Sequence, residues 1–103
     1  MNNQDLSADL IEALVRFEVK YPGLIRRLRE NELMIDIDLY LEELAMECAQ
    51  ALLDSGITAI HRLDQPCTIS IQLPSLFIQN KTHQAIQVLE EFLKAHSYKV
   101  SRF

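Results

Sequence analysis

From Glu32 to Gly56 the chain reads ELMIDIDLYLEELAMECAQALLDSG, with seven carboxylates and no lysine or arginine. This stretch restricts the fold more than any other, because two periodicities compete in it. IDIDLYLE alternates apolar and polar residues, the pattern of a strand with one buried face. The longer line Ile37, Leu41, Leu44, Cys48, Leu52 steps by threes and fours, the pattern of a helix face. Alanines and glutamates between its members are good helix formers. Gly56 stands where a helix would end in a left-handed cap. The longer register therefore predicts a helix from about Ile37, capped by Asp36, with residues 33–36 extended.

The flanking segments fill in the rest. Leu6, Leu10, Leu14, Phe17 and Tyr21 share one helical face, which predicts a first helix over about Leu6 to Lys20. Pro22 ends it and is suited to the first turn of a second, short helix over about Pro22 to Glu30. That helix would turn Leu24, Ile25 and Leu28 inward and Arg26, Arg27 and Arg29 outward. After Gly56 the period changes to two. ITAIHRL and CTISIQL read as strands joined by a DQP turn. The second has Cys67, Ile69, Ile71 and Leu73 on a dry face and Thr68, Ser70 and Gln72 on a wet or thinly covered one. SLFIQ reads as irregular. A last helix, about Lys81 to His96, faces Ala85, Val88, Leu89, Phe92 and Leu93 inward, and SYKVSRF closes as a strand. The expected fold is α+β: three N-terminal helices, then a three-stranded antiparallel sheet of order 2-1-3 with a C-terminal covering helix. In sequence the elements run α-α-α-β-β-α-β, and residues 1–103 make one compact domain.

Three helices followed by a β-hairpin resembles winged-helix topology. A DNA-reading helix approaches phosphates with basic or neutral side chains. The third helix here holds acids and no base, and the net charge is −5, so direct nucleic-acid binding is not expected. Nor is a membrane span, since no apolar run nears the roughly 20 residues one requires. The start, MNNQDLSADL, lacks the basic and apolar regions of a secretory signal. Cys48 and Cys67 make no disulfide framework and have no CxxC spacing, which fits a reducing cytoplasm. The only glycines, Gly23 and Gly56, are far apart, so no glycine-rich phosphate cradle is present. His61, His83 and His96 have no metal-ligand spacing with one another or with cysteine. No catalytic residue, metal or cofactor is expected, and the chain does not read as an enzyme.

What remains is a surface. On the expected third helix Leu39, Met46 and Leu53 recur every seven residues, nearly opposite the main apolar stripe. Glu42, Glu43, Glu47 and Asp54 border them. An apolar stripe with an acidic rim is what a protein interface shows. The expected function is a small cytoplasmic interaction or regulatory protein that binds a partner, or itself as a dimer, through Leu39, Met46, Leu53 and this rim. In a two-fold dimer Arg26 and Arg27 would meet the acids across the axis. One alternative is an acidic inhibitor (an immunity protein, antitoxin or phage-encoded blocker) covering a basic nucleic-acid-binding surface. The other is a ligand-binding domain or enzyme with a pocket near His61 and Cys67.

Overall fold

The computed structural model describes residues 3–30 and 33–101, with side chains over 8–30 and 33–97. Helix α1 spans Asn3–Lys20, followed by strands β1 (Ile25–Glu30) and β2 (Met34–Leu39) and helix α2 (Glu42–Asp54). Strands β3 (Ala59–His61) and β4 (Thr68–Gln72) come next, then a short helix α3 (Leu73–Ile78) and the long α4 (Thr82–Ser101). The four strands form one antiparallel sheet in the order β1-β2-β4-β3.

The α+β class stands, but the expected arrangement does not. Residues 25–30 and 34–39 are a β-hairpin, so one helix precedes the strands instead of three, and the winged-helix likeness falls with it. The sheet has four strands, not three in the order 2-1-3. SLFIQ lies mostly within α3, and residues 97–101 continue α4 as helix where a last strand was expected. Residues 102–103 of that strand, and the side chain of Leu6, lie outside the described set.

Charge explains the hairpin. Arg27 pairs in register with Asp38 and Arg29 with Asp36. Period-two spacing puts both arginines and both aspartates on one sheet face, where opposite charges meet across the strands. The intervening residues, Ile35, Ile37 and Leu39, then fall on the other face and are buried. Helix α2 begins only at Glu42. Leu44, Cys48 and Leu52 keep the inward positions assigned to them, while Ile37 belongs to β2 and Leu41 is an exposed residue in extended backbone before the helix.

The core lies between the apolar face of the sheet and the helices. Ile35, Ile37, Ile69 and Ile71 meet Leu10, Leu14 and Phe17 of α1, Leu52 of α2, Leu76 of α3 and Leu89 and Leu93 of α4 in one buried cluster. Helix α4 packs on α1 and α2. A Lys20–Glu90 ion pair at 3.5 Å and a His96–Glu47 contact at 3.1 Å mark these seams at the surface. No helix among the described residues is long and apolar enough to cross a membrane.

Two residues past the end of α2 stands Gly56, whose φ of +78° is a conformation that L side chains adopt at a cost. Its neighbourhood adds a second constraint. Lys81 Nζ donates to the carbonyls of Ser55 and Gly56 at 3.3 and 3.1 Å, closing the helix C-terminus with a cation. A Cβ on residue 56 would collide with that Nζ. Gly56→Ala is therefore expected to cost about 1–3 kcal/mol, from left-handed strain plus a displaced lysine. Thermal melting checks it, and a variant as stable as wild type contradicts the cap.

Candidate functional site

Two surfaces carry most of the described chemistry. The first is the outer side of α2. Glu42 and Glu43 occupy its first turn, where carboxylates interact well with the helix dipole. The inward side is Leu44, Ala45, Cys48, Ala49 and Leu52. On the outer side Met46 is 52% exposed and Leu53 48%, two turns or about 10 Å apart. Tyr40 and Leu41, both more than half exposed, lead into the helix at its N-terminal end. Glu42, Glu43, Gln50 and Asp54 are exposed around them, with Gln50 donating to Asp54 at 2.8 Å. Glu47 is also exposed, with its Oε2 3.1 Å from His96 Nε2, while His96 Nδ1 lies 2.8 Å from the Phe92 carbonyl.

Leu39 is not part of this surface. It lies at the end of β2, opposite Ile25, and is 2% exposed. Its seven-residue spacing to Met46 has meaning only if one helix holds both, and the helix starts three residues too late. The two arginines are also divided. Arg26 is exposed, whereas Arg27 already donates to Asp38 at 3.0 Å. Much of the basic charge expected to reach acids on a second chain is spent within the first.

The second surface is the charged face of the sheet. Asp38 accepts from Arg29 at 2.8 Å and Thr68 at 2.6 Å through Oδ1, and from Arg27 through Oδ2. Burial pushes its carboxyl upward, but the Arg29, Thr68 and Arg27 hydrogen bonds outweigh burial and hold it below the usual carboxylate range. Asp36 accepts from Ser70 at 2.5 Å and lies 3.6 Å from Arg62 and 3.8 Å from Arg29. Arg29 also donates to Gln65, and Arg62 to Asp64 at 2.9 and 3.1 Å. Hydrogen bonding to Arg62 holds Asp64 below its ordinary value, and bonding to Asp38 raises Arg29. Three arginines thus match three aspartates. Both buried carboxylates are already engaged as acceptors within the sheet, a poor starting point for a general base. Their evident effect is to tie β1, β2 and β4 together. The network was missed because residues 25–30 and the second half of β2, from Ile37, were expected in helices, and the paired i,i+2 charges were the available signal.

His61 and Cys67 lie on either side of Pro66. His61 Nε2 lies 2.6 Å from the Pro66 carbonyl. Cys67 lines a shallow groove of about 280 Å³ with Arg26, Arg27, Asp38 and Thr68, and His61 is not among its lining residues. Cys48 is enclosed in the core, where burial pushes its thiol up to about 12, far from a reactive thiolate at neutral pH. Both cysteines are free. Among the described residues no three histidines, cysteines or carboxylates are grouped so as to hold a metal ion. Neither the protein-family models nor the curated proteins compared with this chain give a match.

Proposed function

We propose that this chain is a non-catalytic interaction protein of the cytoplasm, binding a protein partner or a second copy through the outer side of α2. The observation that carries the reading is the half-exposed pair Met46 and Leu53, approached by Tyr40 and Leu41 and rimmed by Glu42, Glu43, Glu47 and Asp54. Large apolar side chains grouped on one helix face inside a polar rim are the composition of a docking surface. Their energetic weight would come from burying Met46 and Leu53, with the acids setting partner choice and encounter rate. Two free thiols suit a reducing compartment.

Light scattering on wild type and Met46→Glu tests the self-association branch. Wild type is expected to exceed its monomer mass of 11.9 kDa, and Met46→Glu to return to it. Met46→Glu is also expected to keep folding stability within about 0.5 kcal/mol, as surface substitutions do. A foreign partner is expected to bind Met46→Glu at least tenfold more weakly, about 1.4 kcal/mol. A monomeric wild type together with a partner indifferent to Met46→Glu overturns the reading.

A second reading rests on the absence of any lysine or arginine in α2. An acidic helix that covers the basic nucleic-acid-binding surface of another protein would act as an inhibitor. Its complex would weaken steeply between low and high salt, whereas one held by Met46 and Leu53 would change little.

A further inference from the structure

Strand β1 is an edge strand, and its register shows which backbone groups face outward. Leu39 N–H bonds to the Cys67 carbonyl and Leu73 N–H to that of Leu33, at 2.8 and 2.9 Å. Residues 33, 35, 37 and 39 therefore turn their backbone groups toward β4, and 36, 38 and 40 turn theirs toward β1. Tyr40 N–H bonds to the Leu24 carbonyl at 3.3 Å and continues that set. Arg27 and Arg29, opposite Asp38 and Asp36, thus point their N–H and C=O groups inward. Leu28 and Glu30 point theirs to the free edge, and no described strand pairs with them. A groove of about 300 Å³ runs beside this edge, between α1 and β1. Four consecutive β1 residues, 27–30, line it, facing Ile11, Leu14, Val15 and Glu18 of α1. Val15 is half exposed at the groove.

We propose that this edge takes an extended segment of a partner protein, with acidic and apolar residues alternating, as a fifth strand. The side-chain alternation of β1 sets the pattern. A residue opposite Leu28 drops onto the helix side, into the apolar groove beside Ile11 and Val15. Residues opposite Arg27 and Arg29 fall on the charged face. There Arg27 bonds Asp38 through Nε alone, its side chain is 61% exposed, and no further partner for it is found among the described residues. Arg26 adds an exposed cation at the adjacent bulge. Glu18 and Glu30 on the groove side repel acids there, so the acids belong at alternate positions only. Within the chain, β2 already meets β1 with this pattern: MIDIDL sets Asp36 and Asp38 against Arg29 and Arg27. A second copy fits poorly, because antiparallel pairing centred on Leu28 sets Arg27 against Arg29 of the copy on both sides, and like charges directly opposite destabilise a sheet. This edge is separate from the outer side of α2 and does not depend on its role.

The test is an NMR titration of the whole ¹⁵N-labelled protein with the heptapeptide Thr-Val-Asp-Val-Asp-Val-Thr, and with its counterpart carrying lysine in place of aspartate. Near saturation the aspartate peptide is expected to slow amide exchange at Leu28 and Glu30 by at least about tenfold, since both would gain ladder bonds. Arg27 and Arg29, already bonded to β2, should change little, and the lysine peptide should not bind. Glu30→Pro deletes one outward donor and no inward bond. It should weaken the peptide roughly fivefold, the factor for one net hydrogen bond of about 1 kcal/mol. Val15→Asp puts a carboxylate at the groove and should weaken it independently, so the test survives a poorly folded proline variant. Equal binding of the lysine peptide overturns the proposal. So do shifts confined to α2, and so does no binding up to about 10 mM. Protection of Leu28 and Glu30 without peptide, with a doubled mass, gives the edge to a second copy and overturns it too.

Discussion

Replacing Leu39 by glutamate is expected to cost about 4 kcal/mol or more, enough to unfold much of the population of a domain whose whole stability is about 5–15 kcal/mol. Two terms add. Removing a buried leucine costs about 2–5 kcal/mol in lost transfer energy and cavity. A carboxylate in its place sits in the apolar cluster with Ile25 and Ile37, and it must either remain charged there or take up a proton. Met46→Glu is the matched control, the same new charge on a half-exposed helix position. Denaturant unfolding of the two variants under one set of conditions separates burial from chemistry. A Leu39→Glu protein within about 1 kcal/mol of wild type would contradict the placement of Leu39 in β2, and the core drawn here with it.

That contrast also locates what the sequence could reveal. Met46 and Leu53 lie on a regular helix, so their seven-residue spacing carried real geometry. The spacing from Leu39 to Met46 was identical and meaningless, because the backbone turns from strand to helix between them. Likewise the line Ile37, Leu41, Leu44, Cys48, Leu52 joined three genuine helix positions to two residues outside the helix. CTISIQL was legible as a strand because its alternation is unbroken by competing spacings, but the strand ends at Gln72, Leu73 opens α3, and Thr68 and Ser70 of the face expected to be wet are buried against Asp38 and Asp36. IRRLRE was not legible as one. Leucine, arginine and glutamate are good helix formers, and only Ile25 favours a strand. Tertiary pairing with Asp36 and Asp38 overrides that preference. Two basic residues spaced by two, followed shortly by two acids spaced by two, was the available hairpin signal. Local propensity gives such a signal no weight, since its energy appears only once the strands meet. The outward edge of β1 was illegible for the same reason. It follows from a strand order in which β1 has one neighbour.

Asp38→Ala is the second large effect, and it probes that pairing directly. The variant leaves Arg29 and Thr68 without their principal acceptor and Arg27 without its described one. Removing one partner of a fully buried ion pair costs about 3–5 kcal/mol. Arg27 is mostly exposed and can turn to water, so the expected loss is smaller, about 2–3 kcal/mol, or roughly 10–20 °C in Tm. Asp64→Ala, which removes a carboxylate from an exposed pair with Arg62, is expected to cost far less. Acid titration supplies a second signature. Burial raises the Asp38 carboxyl, but bonding to Arg29, Thr68 and Arg27 brings its folded value below the ordinary aspartate range. The unfolded chain then binds more protons in the window below that range, so stability rises with pH there. The Asp38 contribution is complete above the ordinary carboxylate range and disappears as pH falls through the lowered folded value. Wild type should therefore lose stability more steeply than Asp38→Ala on the acid side of about pH 4, and the two curves should converge at the lowest pH. Parallel curves, or a variant that melts with wild type at neutral pH, would mean that the Asp38 cluster does not hold β1 to β2.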